Sequence, residues 1–444
     1  MKVKKALLTA ALVLALLNLS CGFGGYTIHL GTYQEAYAAR LALNPLKSCS
    51  PLMFQAVWNI IKKEYITPKT DKELWLYSLQ GLSATTKTKI TKEVPPNPNP
   101  MKFWLLRLAP AAAVSPQTYE KLCYGSINGI IKGLNDKYSH FFTVKDGFKK
   151  MEKILGNSDY VGLGFTMVVD KPNKRIWIEG TQPNSPARRV FKRFDEIISV
   201  DGIKIKKKNW KKGVSVWFHG KRGTKVTVVF HRGRKLYKKT FVRQGIVYKN
   251  SQCRMIGEIP YCKIHQFRRN TMSDFKEQFS MLPTHKKKII IDFRGNGGGL
   301  IYSATNLLSQ LWLGDKMSTI IVKRPFGAVG HADGTTKKVL LKGYKTIVLQ
   351  DGRSASAAEM CLAAIKDYKV ATLMGEKSFG KGIVQNTKIL YGAVLTYTTW
   401  FFISPYGMWI HKYGITPDIK MPVTMKQYID GRDPLLKAAI QRLK

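Results

Sequence analysis

The order of apolar and polar residues divides the chain into a helical first part and a later part that mixes strands and helices. Between residues 51 and 134, apolar residues recur at intervals of three and four, which predicts helices at about 51–65, 72–82 and 116–134. The proline-rich run at 95–100 must interrupt this part, because proline removes a backbone donor and restricts the preceding residue.

From residue 160 onward the pattern changes to the short apolar runs of strands. These runs predict strands at 165–169, 175–179, 196–200 and 225–231, and Ser185-Pro186-Ala187 predicts the opening of a short helix. Apolar runs at 288–293, 346–349 and 370–374 are typical of buried strands, and helical segments follow the first two. The chain is therefore expected to have an α/β fold.

The clearest strand-turn-helix unit begins at residue 345. Its apolar strand ends at the Asp351-Gly352 turn, and an alanine-rich helical segment follows. Ser356 falls at the predicted helix start, where free N–H groups and the positive end of the helix dipole favour an oxyanion. A lone serine before a helix is usually only an N-cap, so a nucleophile needs a base nearby.

A candidate base lies in the loop at 375–382, which contains several glycines and follows the 370–374 strand. Lys381 is flanked by glycines that allow close packing, and apolar residues after it can lower its pKa by burial. Gln385 is placed to orient the amine through a hydrogen bond. Lys377 in the same loop is the competing base, whereas His411 lacks an acidic neighbour in any triad-like motif and is better interpreted as a structural histidine.

Two motifs in this region resemble those of the carboxyl-terminal processing proteases, also called tail-specific proteases. They are Ser-Ala-Ser-Ala-Ala-Glu at 354–359 and Ser-Phe-Gly-Lys-Gly-Ile-Val-Gln at 378–385. The resemblance implies a crotonase-like protease core in which Ser356 is the nucleophile, Lys381 the general base and Gln385 the residue that positions the lysine.

The glycine-rich segment after the 288–293 strand also resembles this family. A phosphate-binding loop is disfavoured there, because no Lys-Ser/Thr follows the Arg-Gly-Asn-Gly-Gly-Gly of 294–299. The family has Arg-x-Asn-Pro-Gly-Gly at this point, and it implies an oxyanion hole. A backbone donor from Gly298 or Gly299 is expected, with Gly298 preferred, together with the N–H of Ala357.

The segment near residue 160 resembles a circularly permuted bacterial PDZ domain. Gly162-Leu163-Gly164-Phe165 matches the carboxylate-binding loop, in which glycines expose backbone N–H groups and a free strand edge adds the bound peptide as another strand. Where the family has Gly-Asp before its third strand, this chain has Phe194-Asp195. A different turn, or a backbone with φ below zero, is therefore expected there.

These observations predict five segments in chain order. They are a signal peptide at 1–21, an N-terminal helical region at 45–145, an inserted PDZ domain at 146–246, the serine protease core at 247–424 and a C-terminal helical tail at 425–444. The first is predicted from a basic start followed by an apolar run at 6–17 that is too short to span a bilayer comfortably. Cys21 follows that run closely, which leaves lipid attachment and simple cleavage as alternatives.

Export changes how the cysteines and the charge are interpreted. The cysteines lack the spacing of a zinc site, and Cys253 and Cys262 either pair across a hairpin or are two buried thiols. The net charge of +45 predicts attraction to anionic surfaces such as membrane headgroups. Because the lysines are dispersed along the chain, specific nucleic-acid recognition is not expected.

The functional prediction is an exported serine endopeptidase of the bacterial periplasm or cell envelope. It binds protein substrates by their C-terminal tails, and an adaptor protein is a further candidate partner. No metal or other cofactor is expected. Two alternatives remain: a secreted PDZ scaffold with an inactive protease fold, and a basic envelope protein that binds anionic polymers.

Overall fold

The computed structural model describes residues 49–147, 160–170, 172–207, 214–283, 285–322, 328–332, 336, 339–430 and 433–444. The predicted signal peptide, with Cys21, lies outside these residues. The chain divides into two compact units, Met1–Ile154 with Gln385–Thr399 and Leu155–Val384 with Trp400–Lys444. The mixed helix and strand content confirms the predicted α/β fold, while the five segment boundaries stay predictions.

The first unit is mainly helical. Its helices are α1 (Pro51–Glu64), α2 (Asp71–Thr86), α3 (Pro100–Phe103), α4 (Ala109–Val114) and α5 (Pro116–Gly133), with a π-helical turn at Trp104–Leu108 between α3 and α4. Helices α2 and α5 pack so closely that a Cβ atom on Gly81 would lie 2.1 Å from the Gly125 carbonyl oxygen. A disulfide joins Cys49 to Cys123. Neither that pairing nor the helices of 100–114 was predicted.

A small antiparallel arrangement completes this unit. Strand β1 (His140–Phe142) pairs with the first part of β18 (Ala393–Ile403), and β17 (Ile383–Leu390) also pairs with β18. Asp136 accepts hydrogen bonds from Ser139 Oγ at 2.6 Å and from Thr398 Oγ1 at 2.7 Å. This carboxylate therefore connects the end of α5 to the strand that returns from far along the sequence.

The second unit begins with a β-rich segment at 160–246. Its strands are β2 (Tyr160–Gly162), β3 (Phe165–Asp170), β4 (Arg175–Thr181), β5 (Glu196–Val200), β6 (Ile203–Lys204), β7 (Lys225–Arg232), β8 (Lys235–Val242) and β9 (Gln244–Ile246). An antiparallel sheet has the order β3-β4-β5-β7-β8, β6 pairs with β5, and β2 pairs with β9. Among the strands that the structure describes, β3 pairs only with β4, so it is an edge strand.

Two local expectations in this segment are wrong. Residues 185–191 form successive turns rather than a helix, with the N–H groups of Val190 and Phe191 both donating to the Ala187 carbonyl. Phe194 has φ of 68°, the left-handed conformation that its family counterpart, glycine, adopts without strain. Its ring packs edge-on against Tyr428, with centroids 5.6 Å apart, and this packing helps to hold a conformation that phenylalanine disfavours.

The core of the second unit is a six-stranded sheet in the order β10-β11-β12-β15-β16-β19. Its members are β10 (Ser251–Ile256), β11 (Ile259–Ile264), β12 (Lys288–Asp292), β15 (Lys345–Gln350), β16 (Thr372–Gly375) and β19 (Ile419–Lys420). All neighbours are parallel except β10 and β11, which form an antiparallel hairpin. Cys253 and Cys262 lie opposite each other in this hairpin and form a disulfide, which decides between the two alternatives.

Helices cover both faces of this sheet. Helices α6 (Thr271–Phe279), α7 (Ile301–Leu308) and α8 (Ala357–Tyr368) contribute to the larger apolar cluster, and α10 (Pro434–Leu443) contributes to the other, while α9 (Met425–Ile429) precedes it. A π-helical turn extends α7 through Ser309–Leu313. Strands β13 (Thr319–Val322) and β14 (Ala328–Ala332) pair with each other, and β13 also pairs with the last part of β18. Within the described residues, no helix combines the length and apolarity needed to cross a bilayer.

Candidate active site

Ser356 lies where strand β15 ends and helix α8 begins, as predicted. The residue has φ of 58° and ψ of −122°, a conformation that non-glycine residues seldom adopt outside strained functional turns. Ala357 is the first helical residue, so its N–H has no acceptor within the helix. The turn thus presents a serine beside a free helix N-terminus.

The Lys381 loop follows strand β16, the parallel neighbour of β15. Because parallel strands end at the same edge of a sheet, this loop begins next to the Ser356 turn. Phe379 N–H donates to the Ser354 carbonyl oxygen at 3.0 Å, which fastens the two segments. A Cβ atom on Gly382 would lie 2.5 Å from the backbone nitrogen of His411. Close backbone packing therefore requires glycine at this position beside Lys381.

Glu359 joins the two segments directly. Its carboxylate is fully buried, and its Oε2 accepts hydrogen bonds from the N–H of Ser356 at 2.9 Å and from the N–H of Lys381 at 2.7 Å. Its Oε1 accepts from Ser378 Oγ at 2.6 Å and from the Gly380 N–H. One oxygen therefore holds the backbone nitrogens of the candidate nucleophile and candidate base within two hydrogen-bond lengths of each other.

The role of Glu359 was not predicted from the sequence, although the sequence carries a signal for it. Serine followed three residues later by glutamate is the spacing of a capping box, in which the glutamate accepts from the serine N–H. The Ser356 N–H bond to Glu359 has that geometry. The contact with the Lys381 loop depends on tertiary structure, and the local spacing does not reveal it.

The glycine-rich loop after strand β12 reaches the same place. A Cβ atom on Gly298 would lie 2.7 Å from Ser356 Cβ and 2.9 Å from the Ala357 nitrogen, so this glycine packs directly against the candidate nucleophile. Its N–H, however, donates to Asn296 Oδ1 at 2.9 Å. The Gly298 N–H, which was the preferred oxyanion donor, is thus already hydrogen-bonded to the Asn296 side chain. The other candidate donor, Gly299, is the next residue in the sequence.

Asn296 is a second residue that the sequence analysis missed. It is fully buried, and its Nδ2 donates to the Ile264 carbonyl at 3.0 Å. The backbone carbonyl oxygen of Asn296 accepts a hydrogen bond from the Ala355 N–H at 2.9 Å. Asn296 therefore ties the glycine-rich loop to strand β11 on one side and to the Ser356 turn on the other.

A buried ion-pair network around Arg294 holds the start of the glycine-rich loop in place. Arg294 contacts Asp292 at 2.7 Å and Asp433 at 2.8 Å, and Tyr261 OH donates to Asp292 at 2.6 Å. Burial alone would raise the pKa of Asp292, but the guanidinium of Arg294 and the ammonium of Lys263 hold that pKa well below its usual range. The carboxylate stays ionised and keeps the start of the loop fixed.

Of the two competing candidates, Lys377 occupies a less suitable position. Lys377 is exposed and lines an open groove with Trp409 and Tyr413, so it lacks the burial expected of a base. The His411 ring lies 5.5 Å from that of Phe401. Gln385 lies in strand β17, which belongs to the first unit from that residue onward, and its role stays a prediction.

The Gly162-Leu163-Gly164-Phe165 loop connects β2 to the edge strand β3. Gly164 has φ of 74°, and its carbonyl accepts from Ser185 Oγ at 3.0 Å and from the Gln182 N–H at 2.8 Å. Leu163 and Phe165 point into the apolar core of the segment. Their side chains thus anchor the loop to that core.

No cluster of three or more His, Cys, Asp or Glu residues suited to a metal occurs in the described part of the chain. Cys361, the one unpaired cysteine there, is buried in the core, and burial raises its thiol pKa well above the usual value. It is therefore a poor nucleophile. The chemistry available at the site is that of a serine, a lysine and backbone donors.

Residues 258–421, which contain Ser356, Lys381, Glu359 and the glycine-rich loop, match the family model described as Peptidase family S41. The chain therefore belongs to peptidase family S41 through this segment. A Staphylococcus aureus protein named a probable CtpA-like serine protease is 32% identical over 321 residues, which is 71% of this chain and 63% of the relative. A Staphylococcus saprophyticus protein of the same name is 32% identical over 310 residues, covering 68% of this chain and 61% of the relative.

These relatives are longer than the matched stretch, which spans less than two thirds of their length. Among solved structures, the photosystem II D1 C-terminal processing protease has a TM-score of 0.52 and 20% sequence identity to this chain. The match covers 84% of this chain and 93% of that protein. At this level of identity the likeness supports the fold.

Proposed function

We propose that this protein is an exported serine endopeptidase that binds the C-terminal tails of protein substrates and cleaves them with Ser356 and Lys381. The main support for this proposal is that a single oxygen of Glu359, Oε2, accepts hydrogen bonds from the backbone N–H groups of both residues. Ser356 and Lys381 are twenty-five positions apart in sequence, and a catalytic centre that uses both requires them to be held close together.

The proposed reaction follows from the residue types. Lys381 in its neutral form takes the hydroxyl proton as Ser356 Oγ attacks the peptide carbonyl carbon. The oxygen of the tetrahedral intermediate lies against the Ala357 N–H and a glycine N–H at 298 or 299. Collapse breaks the C–N bond, the lysine returns the proton to the leaving amine, and water then hydrolyses the acyl-enzyme.

Oxyanion stabilisation requires a second donor besides Ala357. Since the Gly298 N–H donates to Asn296 Oδ1, it serves as that donor only if substrate binding turns the Asn296 side chain away. The Gly299 N–H is the alternative. In this proposal Gln385 orients the Lys381 amine.

Tail recognition is proposed for the β-rich segment at 160–246, interpreted as a PDZ domain. Strand β3 is an edge strand, and its start is the Gly162–Phe165 loop, so a peptide can pair with β3 while its carboxylate meets the loop. We propose apolar final residues for the substrate. Activation of the site by tail binding and restraint of it are both compatible with this arrangement.

Export to the periplasm or cell envelope is proposed from two features. The first is the basic and apolar start of the chain, with Cys21 as a candidate lipid-attachment residue. The second is the pair of disulfides, Cys49–Cys123 and Cys253–Cys262, which persist in oxidising compartments. The charge of +45 favours an anionic membrane surface nearby.

The test compares wild type, Ser356→Ala, Lys381→Ala and Lys377→Ala on an unfolded reporter protein. We expect cleavage by wild type and by Lys377→Ala, and a loss of at least about 10³-fold in the other two variants. Lys377→Ala is the matched control, because it removes an exposed lysine from the same loop. Equal cleavage by all four proteins would remove the proposed site, and no cleavage by any would favour an inactive scaffold.

A second arm uses reporters with an apolar tail, a charged tail and an amidated tail. We expect the apolar tail with a free carboxylate to be cleaved fastest, because the proposed loop binds that carboxylate. If rates are indifferent to the tail, the peptidase assignment stands and the delivery role fails. Retention on anionic polymer that persists in Ser356→Ala, without any cleavage by wild type, would favour a basic envelope protein.

A further inference from the structure

A cavity of about 630 Å³ lies within the second unit, apart from the Ser356 turn. One wall is the end of strand β4, at Glu179–Thr181, with residues of the turns that follow it. The other wall is the β10–β11 hairpin, and Tyr428 also lines the space. It is large enough to enclose a small organic molecule or one or two peptide side chains.

The charges that line this cavity are strongly unequal. Arg188, Arg193, Arg254 and Lys263 are cationic, and Glu179 is the single carboxylate among the lining residues. Lys263 contacts Glu179 at 3.3 Å, so that pair is internally balanced. Among the described residues, none of the three arginines forms an ion pair, which leaves an excess of positive charge facing the space.

Two residues that line the cavity also have a buried side-chain nitrogen without a hydrogen-bond partner among the described residues. Gln252 Nε2 and His265 Nε2 are inaccessible to solvent and have no hydrogen bond to any described residue. Burial, together with the neighbouring Lys263, lowers the pKa of His265 to about 4, so its imidazole is neutral at pH 7. A buried polar group of this kind is costly unless a ligand or water satisfies it.

The buried cation at the bottom of the cavity, Lys263, is held in a fixed position. Lys263 is only 8% exposed, and its ammonium lies 3.8 Å from the Asp292 carboxylate, which Arg294 and Tyr261 already occupy. Lys263 therefore cannot swing away without removing the ion pair of Glu179 and weakening the charge balance around Asp292. It is a fixed cation at the bottom of the cavity, while Arg188 and Arg254 are exposed and can move toward a ligand.

From these observations we infer that the cavity is an anion-binding site that takes a carboxylate group. A carboxylate oxygen accepts several hydrogen bonds, which the Gln252 amide, His265 in its Nε2–H tautomer and the arginine guanidinium groups can donate. The carboxylate comes either from an acidic side chain of a bound peptide or from a free dicarboxylate. This inference does not rest on peptide cleavage.

The site is also connected to the glycine-rich loop. Strand β11 carries Lys263, and the next residue, Ile264, accepts the Asn296 hydrogen bond through its carbonyl. Three residues further on, the Phe267 N–H donates to the Gly298 carbonyl at 3.0 Å. A ligand held by Lys263 and His265 therefore lies against the segment that supports the loop beside Ser356.

The test measures binding of succinate to the full-length Ser356→Ala protein by calorimetry at constant ionic strength. Neutral succinamide is the control ligand. We expect saturable succinate binding that Arg188→Gln and Arg254→Gln each weaken about tenfold, because each removes one charge-assisted contact. Arg189→Gln is the matched control, since Arg189 is also exposed but does not line the cavity, and it should leave the affinity unchanged.

Blocked tripeptides identify the source of the carboxylate. N-acetyl-Ala-Glu-Ala-amide and its glutamine counterpart have no terminal charges, so they differ only at the side chain. Tighter binding of the glutamate peptide, lost in Arg188→Gln, would assign the site to acidic substrate residues, and succinate binding alone would assign it to a free dicarboxylate. If succinate binds no better than succinamide, or if Arg188→Gln and Arg189→Gln weaken it equally, there is no such site.

Discussion

Replacement of Glu359 by glutamine changes one atom of a buried carboxylate and tests its bridging role. The carboxylate accepts four hydrogen bonds, two on each oxygen, and every partner is a donor. Glutamine keeps one acceptor oxygen and puts an NH₂ group in place of the other. If the NH₂ group faces Ser356 and Lys381, two buried N–H groups lose their acceptor. If it faces Ser378 and Gly380, the Gly380 N–H loses its acceptor, while the Ser378 hydroxyl can turn to accept from the amide.

The expected magnitude follows from that count. A hydrogen bond to a charged group contributes roughly 1.5–3 kcal/mol and one to a neutral group roughly 0.5–1.5 kcal/mol, so losing one or two bonds and weakening the others costs about 3–6 kcal/mol. Because a domain has only about 5–15 kcal/mol of stability, we expect the melting temperature to fall on the order of 10 °C. We also expect peptidase activity to fall far more than the folded fraction does, because the common anchor of the Ser356 and Lys381 segments is lost or becomes a pair of weaker bonds to a neutral amide.

Glu376→Gln is the matched control for this change. Glu376 lies at the start of the same loop, but the structure records one hydrogen bond to its carboxylate, from the Val423 N–H at 3.0 Å. The carbonyl oxygen of glutamine can keep that bond, so less than about 1 kcal/mol should be lost. Thermal unfolding followed by circular dichroism, with reporter cleavage at 20 °C below each midpoint, separates stability from activity. Equal behaviour of the two variants would refute the bridging role.

Three further outcomes are expected. Gly382→Ala should lower activity, because its Cβ would lie 2.5 Å from the His411 nitrogen and displace Lys381; wild-type activity in a folded variant would contradict the packing argument. The lowered pKa of His265, about 4 instead of 6.5, means that stability is lost as pH falls through this range, by up to about 1.4 kcal/mol per pH unit. Denaturation of wild type and His265→Gln at pH 7 and pH 5 should show a smaller loss in the variant, and identical losses would exclude a neutral histidine. Joint Cys49→Ser and Cys123→Ser replacement should cost roughly 4 kcal/mol, because that bridge closes a loop with a sequence separation of 74; an unchanged midpoint would argue that the bridge is not formed.

Local chemistry explains why the positions of the two candidate residues could be predicted. Ser356 was placed at a helix start because an apolar strand, a tight turn and an alanine-rich helix follow one another in a single short stretch. Lys381 followed from the glycines on either side of it, and the structure shows that Gly382 packs against the 410–411 backbone. In both cases the physical cause of the conformation lies within a few residues of the motif.

What the sequence did not reveal depends on contacts between distant segments. The hydrogen bonds of Glu359 to the Lys381 loop and those of Asn296 to β11 form only once parallel strands are adjacent. The Cys49–Cys123 bridge has the same origin. Phe194 differs in kind, because its left-handed backbone is unfavourable locally and coincides with packing of its ring against Tyr428. Local propensity could not have predicted that outcome.

The attachment of Lys381 to Glu359 has a consequence for chemical complementation. The anchor uses the main-chain N–H of residue 381 and not its side chain, so a shortened side chain leaves the loop fastened. Lys381→Ala should therefore vacate the amine's space without moving the residues around it. A small primary amine such as methylamine, supplied in the buffer, would then restore turnover to that variant and leave Ser356→Ala inert, which would isolate the contribution of a single proton acceptor.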